Sequence, residues 1–372
     1  MLSEKGCRER RAALEKKIAG RADWIVLTSP HHVLYFSNLW VEPNSLAHHS
    51  LAVLAWRGGE SALFVDSFLS REARTAFADQ VVVVPCYGDV RPVPDRRKAV
   101  MERAAAWLSA KRPGTVAAET AYLPAALAAD LRGTGAAVLD VLPLIEEMRC
   151  VKYPDELDLM RSLVRDASSS LDAVREQVHA GLSEWAVYGL LHREFVTRRC
   201  MPLSLIADIV TDLRVSGLPR DRRLEKGDLV IIDFSPYSGG YRADISATLR
   251  VDTPPGGRQV EYMEALFQAR ARAEALLRPG VPGREVYGAM AGCFAQRGLG
   301  RFFTGHAGHG LGLLQPERPY FLPHSDEPLA AGQVVTLEPG LYDGRVGHMR
   351  IEDVYIIGPD GAERISRHRP GF

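Results

Sequence analysis

The second half of the chain carries the same short strings twice, and a duplicated sequence folds as a duplicated unit. His179-Ala180-Gly181 precedes Val187-Tyr188-Gly189, and Arg278-Pro279-Gly280 precedes Val286-Tyr287-Gly288 at the same gap. Each copy follows a long helical stretch and opens another. Further on, Leu224-Glu225-Lys226-Gly227-Asp228-Leu229-Val230 is echoed by Leu329-Ala330-Ala331-Gly332-Gln333-Val334-Val335. Asp233 stands six residues after Gly227, and Glu338 six residues after Gly332. Two related halves therefore each end a buried strand on a carboxylate. Pseudo-twofold pairing of such halves brings the two carboxylates together.

The remainder of the 372 residues suffices for a second domain. Trp24 to Leu27 reads as a strand. Leu51 to Trp56 and Ser61 to Val65 flank Arg57-Gly58-Gly59-Glu60, a hairpin signal. Val81 to Val84 is a β-branched run, and Lys98 to Leu108 and Ala125 to Leu131 look helical. This predicts an α/β domain over residues 1–148 and a second domain over 149–372. Met1 to Arg21 mixes both charge signs without an apolar core, which predicts a solvated amphipathic helix and no signal peptide. Pro154 suits a first helical turn. Leu157, Met160, Val164, Ala167, Leu171, Val174 and Val178 then form one helical face, with Gly181 as its C-cap.

The chemistry concentrates after Gly227. Residues 227–234 read as a strand with Asp233 at its end. Turn residues Ser235, Pro236, Ser238, Gly239 and Gly240 follow, and Tyr241 to Val251 returns as a strand. Such a hairpin sets Asp233 beside Asp244. Unpartnered carboxylates in an apolar strand pair are costly, and a buried cation resolves the conflict. Downstream, glycines surround His306 and His309. Thr336-Leu337-Glu338-Pro339-Gly340 ends a strand on Glu338, and Arg350-Ile351-Glu352-Asp353 sets Arg350 and Glu352 on one strand face.

These residues resemble the five ligands of the pita-bread metallopeptidases: methionine aminopeptidase, aminopeptidase P and prolidase, with creatinase as a relative. The aspartates are eleven apart, and the strings GHGLG, EPG and RIED follow in the family's order. The resemblance spans about residues 140 to 365. Met148 to Glu156 and the first domain resemble the prolidase and creatinase branch. It implies a creatinase/prolidase-like α/β N-terminal domain, then an α+β pita-bread domain with pseudo-twofold duplication. It further implies Asp233, Asp244, His309, Glu338 and Glu352 as metal ligands. Four carboxylates and one imidazole suit two divalent ions; without thiolates, manganese or iron(II) is favoured, with cobalt or zinc as alternatives. Glu338 is then the group that exchanges a proton with the nucleophile.

The chain departs from the family at two places. The peptidases carry a histidine seven residues after the ligand histidine, in an H-E-x-P string. Here the string is Pro316-Glu317-Arg318-Pro319. They also carry a histidine after Leu-Pro, where Leu218-Pro219 is followed by Arg220; without a gap the position is Ser216. In the peptidases those histidines hold the scissile carbonyl and its oxyanion, and losing one such donor costs roughly 10²–10³ in rate. Arg220 and Arg318 add positive charge that can hold an anionic group, or they pair with Asp221 and Glu317.

The expectation is a dinuclear-metal enzyme that hydrolyses a C–N bond, amide or peptide-like, in a small substrate, without being an efficient ordinary prolidase. The alternative is a non-hydrolytic metalloenzyme, a lyase or an iron-dependent oxygen-using enzyme of small-molecule metabolism. The proposed site combines Glu338, His306 and Arg220 as catalytic groups with Arg318, Tyr241 and Arg350 as substrate contacts, Arg350 alternatively pairing a ligand carboxylate. His324 and His348 are expected to be ordinary loop histidines. Balanced charge, 46 basic against 46 acidic residues, argues against nucleic acid. No stretch is apolar enough for a membrane span. Five scattered cysteines argue against a disulfide framework and for the cytoplasm. The resemblance further implies a homodimer whose N-terminal domain walls the partner's site; the sequence offers His31, His32, Tyr35, Phe36 and Trp40 as exposed-loop candidates, the apolar ones alternatively packing the domain's own core.

Overall fold

The computed structural model describes residues 1–89, 92, 95–201 and 204–372, with backbone alone at 205 and 206. It divides into two compact units, Met1–Arg149 and Cys150–Phe372.

In the first unit, strands β1 (Trp24–Leu27), β2 (Val53–Arg57), β3 (Glu60–Asp66), β4 (Gln80–Val84), β5 (Thr115–Ala118) and β6 (Ala137–Asp140) form one sheet in the order β4-β3-β2-β1-β5-β6. The Gly58-Gly59 turn joins β2 and β3 in register, Arg57 opposite Glu60, as its sequence requires. Helices α1 (Glu4–Ile18), α2 (Pro30–Ser37), α3 (Arg96–Lys111), α4 (Ala125–Gly133) and α5 (Leu142–Cys150) complete it. One expectation is corrected. Helix α1 is not simply solvated: Cys7, Arg10, Leu14 and Ile18 are buried. Arg10 donates from Nε to the Tyr35 carbonyl (2.7 Å) and lies over the Tyr35 ring, which compensates the buried charge.

The second unit shows the duplication directly. Helix α6 (Pro154–Arg175) packs with α7 (Glu184–Arg199), and α8 (Gly257–Glu274) packs with α9 (Gly283–Gln296). The two repeated glycines make the same contact. Gly181 N donates to Leu224 O (2.8 Å), and Gly280 N donates to Leu329 O (2.9 Å). Gly227 and Gly332 both take the left-handed backbone, φ 91° and 87°, just ahead of the strands that carry Asp233 and lead to Glu338. The α6 face predicted from periodicity is buried at Met160, Val164, Ala167, Leu171 and Val174. The helix stops at Arg175, however, before Val178 and Gly181. Backbone bonds there shorten to Gln177 N–Val174 O and Val178 N–Arg175 O, a tightened last turn.

Strands β7 (Ser204–Val210), β8 (Leu229–Ser238), β9 (Tyr241–Arg242) and β10 (Ile245–Arg250) form one sheet, with β8 between β10 and β7 and with β9 pairing β8. Strands β11 (His309–Gly310), β12 (Glu317–Tyr320), β13 (Val334–Leu337), β16 (Asp353–Ile357) and β17 (Ala362–Arg364) form a second, ordered β12-β11-β13-β16-β17. Strands β14 (Gly340–Asp343) and β15 (Gly347–Arg350) make a two-stranded ribbon. The strand carrying Asp233 does not end there. β8 runs on through Ser235, Pro236 and Ser238, because β7 pairs with it as far as Tyr237 and β9 pairs Tyr241 with Ser238. The turn is confined to Gly239-Gly240. The return strand breaks at Ala243-Asp244, so Asp233 faces Ser246 across the ladder rather than Asp244. No helix among the described residues is long and apolar enough to cross a membrane.

Candidate metal centre

The duplicated strands and the glycine-rich segment bring carboxylates and imidazoles to one place. Glu338 follows the last residue of β13. Glu352 sits between β15 and β16, where its backbone exchanges two hydrogen bonds with Ser246 of β10. That bridge ties the first sheet to the second at the cluster itself. His309 opens β11, and Gly308 before it has φ 147°. A Cβ on Gly308 would lie 2.1 Å from the Thr336 carbonyl, so only glycine lets β11 approach β13 this closely.

Two groups of donor atoms result, His306–His309–Glu338 and Asp244–His309–Glu352, sharing His309. His309 Nε2 lies 3.3 Å from Asp244 Oδ2 and 3.4 Å from Glu338 Oε1. His306 Nε2 lies 2.7 Å from Glu338 Oε1, and the two imidazole rings stack at 5.7 Å. His309 Nδ1 contacts the Gly310 carbonyl at 2.9 Å, which holds the proton on Nδ1 and leaves Nε2 as a lone pair for a metal. Asp233 belongs to neither group; it pairs with Arg350 and lies opposite Asp208 of β7.

The donor set fits divalent metal. Asp233 Oδ1 and Glu352 Oε1 are buried carboxylate oxygens with no hydrogen-bond partner among the described residues, the arrangement that folding avoids unless a cation compensates it. Electrostatics agree. Desolvation, with the charges of Asp244 and Glu338 next to it, pushes Asp233 up to about 7 against the pull of Arg350. Burial and the same acidic neighbours drive Glu352 well above the ordinary carboxylate range. At His309 burial disfavours the imidazolium, but the Asp244 hydrogen bond and the charges of Asp244 and Glu338 outweigh it and raise the group to about 9. Burial opposes ionisation at Glu338 as well, yet His306 and His309 hold it below its usual value. Without metal, burial and mutual repulsion favour protons on Asp233 and Glu352, and the neighbouring carboxylates favour one on His309.

The sign of the pH dependence follows. All three raised groups favour the metal-free fold when protonated. Their contribution is present at low pH; the carboxylates lose theirs from about pH 4 upward, and His309 loses its own as pH rises through about 9. Metal must displace those protons, so it stabilises more as pH rises. The melting-temperature gain from manganese(II) should be larger at pH 8 than at pH 5.5. Scanning calorimetry giving an equal or larger gain at pH 5.5 contradicts this.

The other expected site residues lie as follows. Arg220 does not join the carboxylate cluster. Its backbone N–H donates to Glu184 Oε2 (2.7 Å) and its Nη2 to Asp212 Oδ2 (2.8 Å). Glu184, buried at the start of α7, also accepts from Thr211 (2.5 Å) and Arg214 (2.6 Å). Those hydrogen bonds, against burial, hold its carboxyl below the usual range. Arg318 makes a two-pronged pair with Glu327 (2.7 and 2.9 Å), while Glu317 is taken by the buried Lys152 (2.8 Å). The partners of the two arginines thus include Asp212, Glu184 and Glu327. Tyr241 is buried and donates its hydroxyl to Glu156 (2.8 Å). His324 is an exposed turn residue, but His348 is buried in β15, 3.0 Å from the Arg214 carbonyl and edge-on to Tyr342.

Sequence reasoning missed four neighbours. Ser246 donates to Glu352 Oε2 (2.8 Å), Ser235 donates to Asp244 Oδ1 (2.6 Å), and Gln315 Nε2 donates to Asp244 Oδ2 (2.5 Å). Tyr342 is held neutral to higher pH, chiefly by burial, beside Arg350, Glu338 and Asp233. Period two was the available signal for Ser235, which stands two residues after Asp233 in β8 and so on the same face.

Comparison with known proteins agrees with this architecture. Residues 158–359 match Metallopeptidase family M24, and residues 10–151 match the Creatinase/Prolidase N-terminal domain. An uncharacterized peptidase of Bacillus subtilis is 31% identical over 238 residues, 63% of this chain and 67% of that one. A Xaa-Pro dipeptidase of Pyrococcus horikoshii is 28% identical over 227 residues, 60% of this chain and 64% of its own length. The chain thus spans about two thirds of the length of these curated relatives. Among solved structures, an X-Pro aminopeptidase from Thermotoga maritima superposes with a TM-score of 0.84 at 20% identity, covering 96% of this chain and 99% of that one. A Xaa-Pro dipeptidase from Bacillus anthracis gives 0.81 at 22% identity, covering 98% of both. At these identities the superpositions speak for the fold. With both domain matches in order and the carboxylate–histidine cluster inside the second, the chain belongs to metallopeptidase family M24 and is a metal-dependent, hydrolase-like enzyme of two-domain, pita-bread architecture.

Proposed function

We propose that this protein uses two divalent ions to hydrolyse a C–N bond, amide or peptide-like, in a small substrate, and that it is not an efficient ordinary prolidase. The observation that carries the reading is the gathering of Asp244, Glu338 and Glu352 around His309, with two buried carboxylate oxygens, of Asp233 and Glu352, left without partners among the described residues. Asp233, Asp244, His309, Glu338 and Glu352 would hold the ions, manganese or iron(II) by ligand type, with cobalt or zinc as alternatives. When bound, such ions polarise a substrate carbonyl and make water a nucleophile at neutral pH.

The chain's own residues do the rest. Glu338, 2.7 Å from His306, exchanges the proton of the nucleophile, and His306, with 39% of its side chain exposed, passes it onward. Arg350 holds Asp233 in place and keeps a cation next to the carboxylates. Substrate contacts at Arg318 and Tyr241, and a catalytic role for Arg220, require these groups to leave their present partners. The departure from prolidase rests on Pro316, which has no donor, and on Arg220, which is committed to Glu184 and Asp212.

The same loss of two oxyanion donors favours a second reading, a lyase or an iron-dependent oxygen-using enzyme. One experiment separates them: anaerobic reconstitution with manganese or iron(II), then a panel of small amides and dipeptides with and without oxygen. Amine release without oxygen uptake supports hydrolysis; turnover that consumes oxygen overturns it.

We further propose a cytoplasmic homodimer acting on no nucleic acid or membrane. Four of the five cysteines are buried and all are unbridged, in keeping with a reducing compartment. A strand-end site needs a cover to exclude water, and twofold pairing is the commonest oligomer. Light scattering at micromolar concentration should give twice the 41.0 kDa chain mass. A monomer with full activity contradicts the pairing.

A further inference from the structure

Asp244 accepts hydrogen bonds on both oxygens from two residues outside the five ligands. Ser235 Oγ donates to Oδ1 at 2.6 Å, and Gln315 Nε2 donates to Oδ2 at 2.5 Å. Gln315 Nε2 also reaches Ser235 Oγ at 3.1 Å, closing a triangle. The chemistry dictates which way the amide points. An ionised carboxylate only accepts, and the Ser235 proton is already given to it, so Ser235 can only accept from Gln315. Both contacts therefore require the NH₂ side. The opposite amide atom, Oε1, is left buried with no partner among the described residues. An empty buried acceptor is unfavourable, so this orientation serves Asp244 rather than Gln315 itself. Gln315 precedes Pro316 in the segment between β11 and β12, and Ser235 lies in β8, so the contact joins the two sheets at the ligand.

We propose that Gln315, with Ser235, is a positioning residue for the metal centre: its side-chain amide fixes the Asp244 carboxylate in the orientation in which it binds metal. Groups that orient a ligand in this way are worth about 10–100-fold in metal affinity when removed. An amide does not titrate in the physiological range, so it holds the carboxylate at any working pH. This inference rests on the dinuclear-metal reading above.

Cobalt(II) supplies the test, through its visible absorption and through competition with a chelator of known affinity. Gln315→Met keeps the length of the side chain and removes the donors. It should weaken cobalt(II) binding about 10–100-fold and alter the absorption bands. The melting temperature of the metal-free protein should fall by no more than one lost hydrogen bond accounts for, because the empty buried acceptor leaves with the donors and His309 Nε2 still lies 3.3 Å from Asp244 Oδ2. Ser235→Ala should move affinity in the same direction, and Ser235→Thr, which retains the hydroxyl, should restore it towards wild type. Wild-type affinity and spectrum in Gln315→Met overturn the proposal, as does a weakening matched by lost metal-free stability. A wild type that binds no cobalt(II) overturns the metal reading as well, so the two failures are distinguishable.

Discussion

Asp244→Ala and His309→Ala proteins should each lose more than about half of the metal that the wild type holds after reconstitution, and nearly all activity. Asp244 and His309 are 2% and 6% exposed and sit 3.3 Å apart at the centre of the cluster. His309 is common to both groups of donors, so its loss weakens both positions at once. Metal catalysis contributes several kcal/mol of transition-state stabilisation, which is on the order of 10³-fold in rate. Elemental analysis beside circular dichroism separates lost metal from lost fold. A folded His309→Ala protein with the full wild-type metal content would show that the imidazole is not a ligand.

Proline dipeptides should be poor substrates of the manganese-loaded protein. Two groups that hold the scissile carbonyl in the related peptidases have no imidazole here. Pro316 has no side-chain donor. Arg220 is 44% exposed but tied to Glu184 and Asp212, within a loop also anchored by Thr211 and Arg214. One missing oxyanion donor costs roughly 10²–10³ in turnover, and two missing donors cost more. Steady-state kinetics with prolyl dipeptides should therefore fall at least about 10²-fold short of ordinary enzyme turnover near ~10 s⁻¹. Turnover at ordinary rates would show that other groups, such as His306 or Tyr342, replace the absent histidines.

The duplication was the most legible part of the sequence, because it is written in glycines whose backbone role is local. Gly181 and Gly280 make equivalent contacts, and Gly227 and Gly332 equivalent left-handed turns. Candidate ligands were legible for a related reason: a carboxylate in an apolar strand conflicts with its surroundings unless something compensates it. Strand ends were less so. Ser235, Pro236 and Ser238 carry turn-like chemistry but continue β8, because pairing with β7 and β9 overrides local preference. Helix α6 stopping short of Gly181 has the same origin, since Gly181 is committed to Leu224. The partners of Arg220 and Arg318 were not legible, because sequence proximity favours Asp221 and Glu317 while the fold supplies Glu184, Asp212 and Glu327. Gln315 was missed because a glutamine in a loop carries no periodicity, and only the meeting of two sheets gives it a carboxylate to hold.

The central claim is that the carboxylate–histidine cluster is a working two-metal site. Elemental analysis of the wild-type protein tests it most directly, after stripping with a chelator, anaerobic reconstitution with manganese(II) or iron(II), and removal of the excess. The account predicts close to two ions per chain, as expected for carboxylates that share two divalent ions, and contradicting it requires only that carefully reconstituted wild type holds no metal.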